Sequence, residues 1–181
     1  PLLKVLHDNG INYIRIRIWN DPFNADGETY GGGGNDVSTG VEIAKEAAQY
    51  DMKVLLDFHY SDFWAEPAVQ LIPKAWKKDV NNTEKMCSDV YDFTKESIQK
   101  FKDGGANIGM VQVGNEITNG LLGIYSNRDK GESFNVIWGD KKKSTEVNKY
   151  LKAGIKAVRE CTPQALVALH LETPNVWKYK T

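Results

Sequence analysis

The chain is poor in cysteine and histidine, has no charge imbalance and contains no long apolar run, and each shortage excludes something. Its two cysteines, Cys87 and Cys161, fall in segments of helical periodicity, where a thiol reads as a small buried hydrophobe, and they cannot build a disulfide framework. Its three histidines include no closely spaced pair of the kind that hydrolytic metal centres use. Asp57-x-His59, His170 and Glu172 are the only ligand set that can be drawn, so neither a catalytic metal nor another cofactor is expected. Lys and Arg total 23 against 24 Asp and Glu, a net charge of -1, which leaves no basic footprint for nucleic acid or an anionic membrane. No stretch approaches the roughly 20 apolar residues that span a bilayer. Neither nucleic acid nor membrane is expected as a partner. The chain begins at Pro1, inside a helix-like segment, so the lack of a targeting signal says nothing about export.

What is present is alternation. Leu2, Leu3 and Leu6 stand at helical spacing before a stop at Gly10, so the first ten residues read as the tail of a helix. From Ile11 to Trp19, Ile14, Ile16 and Ile18 alternate with Arg15, Arg17 and Trp19, the period of a strand. A long loop to Val37 follows. Thr39-Gly40-Val41-Glu42 fits a capping box, which starts a helix at Ser38 or Thr39. Lys53 to His59 reads as the next strand, Thr83 to Asp103 as a helix stopped by Gly104-Gly105, and the run ending at Val113 as a third strand. Ile117 to Lys143 reads as one loop, with a helix from Ser144 and a last strand from Leu166 to Leu171.

Helix, then strand and helix three times, then strand, gives an α/β fold with a parallel sheet. At 181 residues, with no repeat or linker, the chain is one domain. Side-chain parity separates an open doubly wound sheet from a barrel. Strands covered on both faces are nearly continuous apolar runs. Here Arg15 and Arg17, Asp57 and His59, Gln112 and Glu116, and His170 and Glu172 put polar groups on one side of four strands. Against a helix layer that would be very costly, whereas at the mouth of a barrel such groups pair and meet water. The fold class expected is part of a (β/α)8 TIM barrel.

The arrangement centres on Val111-Gln112-Val113-Gly114-Asn115-Glu116, an apolar strand that ends in an amide and a carboxylate where parallel α/β folds keep their chemistry. A strand-end Glu can also serve as a cap or an ion-pair partner. Convergent faces would gather Arg17, His59, Asn115, Glu116, His170 and Glu172, with Trp19, Tyr60 and Trp64 around them. Hydrogen-bonding groups beside flat apolar rings suit an uncharged polyhydroxylated ligand, a sugar. Arg15 and Asp57 lie deeper and read as a buried structural pair. His59 is either a ligand contact or a satisfied core imidazole. Gly31-Gly32-Gly33-Gly34 is not a phosphate loop: no Gly-Lys-Ser/Thr follows, and Asp36 stands where a dinucleotide fingerprint needs glycine.

Four blocks then carry a resemblance: Tyr13 to Pro22 (YIRIRIWNDP), Tyr30 to Asp36 (YGGGGND), Asp57 to Pro67 (DFHYSDFWAEP) and Val111 to Leu122 (VQVGNEITNGLL). In this order they resemble the endo-β-1,4-galactanases of glycoside hydrolase family 53, barrel glycosidases whose acid/base is the Glu of an Asn-Glu pair closing strand four. The resemblance implies retaining endo-hydrolysis of β-1,4-galactan, an extracellular or cell-surface location and no cofactor. It makes Glu116 the general acid/base, Asn115 the contact to the sugar's 2-hydroxyl, and Arg17 the support of an ionised nucleophile. It also puts His59, Trp64 and His170 in the sugar subsites, and Trp19, Tyr60, Asn119 and Glu172 complete the expected substrate-binding set. One departure is Leu171-Glu172-Thr173-Pro174, where the family has Leu-Asp-Asn-Gly after the histidine. Counted by elements, the chain matches the end of helix one to strand five, so the nucleophile Glu of strand seven is expected outside it. Such a fragment is expected to be inactive alone and prone to self-association through its open sheet edges.

Overall fold

The computed structural model describes residues 2–125 and 139–172. Helix α1 (Leu2–Asp8) leads into strand β1 (Tyr13–Ile18), helix α2 (Val37–Ala48), strand β2 (Lys53–Phe58), helix α3 (Thr83–Asp103) and strand β3 (Ile108–Val113). A short hairpin, β4 (Gly120–Leu121) with β5 (Ile124–Tyr125), comes next, and helix α4 (Lys141–Cys161) and strand β6 (Leu166–Ala168) complete the described chain. The four longer-range strands form one parallel sheet in the order β1-β2-β3-β6, which is chain order, as successive crossovers require.

The helices cover one face of this sheet. Ile16, Ile18, Val54, Leu56, Phe58, Val111 and Val113 all point that way and belong to one buried core. Gly40 of α2 comes so close to β1 that an added Cβ would stand 3.2 Å from Ile16, and one on Gly154 of α4 would stand 2.8 Å from Val113. These two glycines set how near the helices can lie. The opposite face carries the polar register row Arg17, Asp57, Gln112 and Ala168, paired strand to strand. Beneath it, Leu55, Met110 and Leu166 form a second row. One face apolar throughout under the helices, and an opposite face that turns polar toward the C-terminal ends of the strands, is the division that the alternation implies.

The elements agree with the sequence reading except at their ends and inside two loops. Helix α2 does not start at a Thr39 capping box: Asp36 is its N-cap, accepting the Ser38 N–H and both the Ser38 and Thr39 hydroxyls. Likewise α4 begins at Lys141 rather than Ser144, because the Asp140 carboxylate accepts the N–H groups of Lys142 and Lys143 at 2.9 and 3.1 Å. Aspartate is the stronger N-cap residue than threonine, and each of these two carboxylates stands just ahead of the N–H groups that need an acceptor. Strand β6 ends at Ala168, short of Leu171. The segment read as a single loop after Glu116 contains a 3-10 turn, Ile117–Asn119, and the β4–β5 hairpin, and a further 3-10 helix, Lys74–Asp79, lies in the loop after β2. Part of that reading, residues 126–138, and Thr173-Pro174 lie outside the described residues.

Candidate active site

Strand β3 delivers Asn115 and Glu116 to its C-terminal end. Of the twelve residues from Val111 to Leu122, eleven are buried and Glu116 alone is partly exposed. Its backbone is left-handed, with φ 50° and ψ 47°, a conformation that costs a residue with a Cβ of order 1–3 kcal/mol and persists only where surroundings impose it. Those surroundings are visible. Gln70, fully buried in the loop after β2, donates its amide to the carbonyls of Asn115 at 2.9 Å and Glu116 at 3.3 Å. The Ile117 N–H donates to the His170 carbonyl at 2.9 Å, tying the turn to the end of β6.

Asn115 is locked on every side. Its Oδ1 accepts from Arg15 at 2.8 Å, from Gln112 at 3.1 Å and from His170 Nδ1 at 2.9 Å, while its Nδ2 donates to the Ala65 carbonyl at 2.8 Å. Because that oxygen can only accept, Nδ1 of His170 carries its proton. Below lies Asp57, 0 % exposed. Arg15 pairs with its Oδ2 at 2.8 Å, His59 Nε2 donates to the same oxygen at 3.1 Å, and Gln112 donates to Oδ1. The buried Arg15–Asp57 pair read from the sequence is thus present, although the arginine side chain itself is 44 % exposed.

His59 has both ring nitrogens engaged, since Nδ1 accepts the Ala65 N–H at 3.1 Å. With 1 % exposure it is a satisfied core imidazole of fixed tautomer, the second of the two readings. Tyr60 is not at the mouth. One residue beyond His59, it turns to the opposite face of the sheet, stacks on Phe58 and bonds the Thr94 hydroxyl at 2.8 Å among the helices. Burial there pushes its phenol well above the ordinary range, only partly offset by the Thr94 bond. Asn119 is also buried, donating to the Pro67 carbonyl at 3.1 Å, and the Glu172 backbone is held by the Thr118 hydroxyl at 2.9 Å.

Arg17 and the rings do gather. Its guanidinium carbon lies 4.2 Å from the centroid of Trp64 and 5.9 Å from that of Trp19. Trp19 is fully buried beneath Trp64, Phe63 and His59, so it forms the floor, while Trp64, 42 % exposed, offers a face to solvent. Beside Trp64 a groove of about 740 Å³ runs between Tyr30, Phe63, Leu71 and Tyr125. Among the described residues no three His, Cys, Asp or Glu side chains are grouped so as to hold a metal ion, and none of the described helices is long and apolar enough to cross a membrane. Two residues went unnoticed as site residues. Gln112 had a signal, sharing the parity of Asp57 three positions before Asn115. Gln70 had none, because it acts from a loop.

Glycosyl hydrolase family 53 matches residues 1–181, the whole chain. The chain belongs to that family. It is 43% identical over 174 residues to the endo-beta-1,4-galactanase of Bacillus subtilis, covering 96% of this chain and 36% of that protein. Among solved structures it superposes on the family 53 catalytic domain of Ignisphaera aggregans with a TM-score of 0.80 at 36% identity, over 94% of this chain and 43% of that one. A fungal beta-1,4-galactanase gives 0.73 at 29% identity, over 94% and 45%. The family 53 chain therefore spans less than half the length of these relatives, and its four parallel strands are part of a (β/α)8 barrel.

Proposed function

We propose that residues 1–181 are one partial catalytic domain of a secreted, retaining endo-β-1,4-galactanase that cleaves galactan side chains of pectin, with Glu116 as general acid/base. The observation that carries this reading is the placement of Glu116: a partly exposed carboxyl on a left-handed residue, imposed by buried neighbours, at the C-terminal end of a barrel strand. The substrate is supported by relatives named as galactanases that match 96% and 94% of the chain.

A retaining glycosidase needs two carboxyl groups about 5 Å apart, one to protonate the leaving oxygen and one, ionised, to attack. Glu116 gives its proton to the glycosidic oxygen as that bond to the anomeric carbon breaks. The second carboxylate, on a strand outside residues 1–181, forms a glycosyl ester. Glu116, now ionised, takes a proton from the water that hydrolyses this ester. Asn115 holds the 2-hydroxyl of the reacting sugar, Arg17 supports the ionised partner, and Trp64 with His170 lines the sugar site.

In the complete protein, Glu116→Gln is expected to abolish most galactan cleavage while leaving galactan binding within about threefold. Full turnover in that variant would overturn the assignment. Digestion of mannan, xylan and cellulose beside galactan tests the sugar, and equal rates on all four would remove the galactan specificity.

A further inference from the structure

We infer that Gln112 is the positioning residue that sets the orientation of the Asn115 amide. Its own amide has only one workable orientation. Nε2 faces acceptors alone, the Asp57 carboxylate, the Gly114 carbonyl at 3.0 Å and the Asn115 Oδ1 at 3.1 Å, while Oε1 faces the Arg15 guanidinium at 3.3 Å. Reversed, it would set oxygen against a carboxylate and N–H against a guanidinium. The side chain is 5 % exposed, so that reversal would leave charged groups unpaired out of water.

Asn115 inherits this orientation. With an N–H from Gln112 fixed against it, its oxygen must stay on the Arg15 and Gln112 side, and its Nδ2 must stay toward the Ala65 carbonyl. One hydrogen of Nδ2 goes to Ala65, and the other is left to serve an acceptor in the site. A flipped Asn115 would present an oxygen there instead. Asp57, fixed at the next strand, therefore acts on the substrate contact through Gln112 without touching it, while Arg15 holds the same oxygen directly at 2.8 Å as well as through Gln112.

The inference rests on the reading of Asn115 as the 2-hydroxyl contact and Glu116 as acid/base. Its test uses the complete enzyme with Gln112→Met, which keeps the shape and removes both polar groups. The substrates are a chromogenic β-1,4-galacto-oligosaccharide and its analogue lacking the 2-hydroxyl on the sugar at the scissile bond. A positioning role predicts a fall in kcat of about tenfold to a hundredfold with KM nearly unchanged. The penalty for the missing hydroxyl is predicted to shrink to that of Asn115→Ala. An unchanged penalty, with both substrates slowed alike or not at all, would overturn the inference and leave Gln112 a structural residue. Should Gln112→Met fail to fold, Gln112→Glu carries the same comparison, since it keeps an acceptor for Arg15 and can share a proton with Asp57, while the N–H groups to Asn115 and to the Gly114 carbonyl are lost. A parent enzyme indifferent to the 2-hydroxyl, or an active Glu116→Gln variant, would bring down the underlying reading instead.

Discussion

Arg17 lies over the ring of Trp64, its guanidinium carbon 4.2 Å from the indole centroid. The two side chains come from different strand ends, β1 and the loop after β2, so the ring holds the cation where backbone geometry alone would not. A cation–π contact of this kind contributes about 0.5–2 kcal/mol. Trp64→Ala in the complete enzyme is accordingly expected to lower kcat/KM on galactan about tenfold, by loosening Arg17 and removing a stacking face, and Trp64→Phe to recover much of it. Steady-state kinetics of the two variants check this. Equal losses would show that the ring does not act through Arg17.

The polar layer below is a matter of stability. Asp57 is fully buried, and among the described residues Arg15 supplies the only unconditional positive charge paired with it. Removing one partner of a buried pair strands the other, which costs about 3–5 kcal/mol. His59 and Gln112 still donate to Asp57 when Arg15 is gone, so Arg15→Ala is expected at the lower end, about 3 kcal/mol, by urea unfolding of the complete protein. A change under about 1 kcal/mol would mean that the two hydrogen-bond donors suffice.

Asp36 provides a pH test. Burial pushes its carboxyl up, but the Ser38 and Thr39 hydroxyls and N–H groups outweigh this, and the net position is below the ordinary 3.8. A depressed folded value means that the stabilisation is complete above the unfolded value and is lost as pH falls through the folded one. Asp36→Ala is expected to cost about 1 kcal/mol at neutral pH. The gap between parent and variant should be constant above the ordinary 3.8 and narrow as pH falls below it through the depressed folded value. A gap independent of pH would assign the cap to geometry rather than charge.

Much of this fold was legible because its strands keep strict parity: Ile14, Ile16 and Ile18 against Arg15 and Arg17 state both the strand and the side on which helices lie. Helix α3 was legible from end to end, since Thr83 and Gly104-Gly105 punctuate a regular stripe. The hairpin after Asn119 was not, because strands of two residues have no period to read. In the candidate site, Arg17, Asn115, Glu116, Trp64 and His170 stood out by type and position. Tyr60 was placed at the mouth for its ring, although parity sends it to the helices. His59 was ambiguous because period two shows that a side chain faces inward, not whether its nitrogens are already taken. Gln70 could not be found at all: a loop glutamine reaching the carbonyls of Asn115 and Glu116 is a tertiary fact.

The left-handed backbone at Glu116 yields the sharpest test of a site bought at the expense of stability. Among the described residues its carboxylate makes no ion pair and no hydrogen bond, and the residue is partly exposed. Substitution therefore removes little packing. A Cβ at φ 50° costs of order 1–3 kcal/mol, which glycine escapes. Glycine loses roughly 0.5–1 kcal/mol through its freer unfolded chain. Glu116→Gly is expected to be inactive yet about 1 kcal/mol more stable than the parent. Glu116→Ala, which keeps the Cβ, should be inactive without that gain. Thermal melting of both variants in the complete protein decides the matter. A glycine variant less stable than the alanine one would show that the left-handed turn is held without strain.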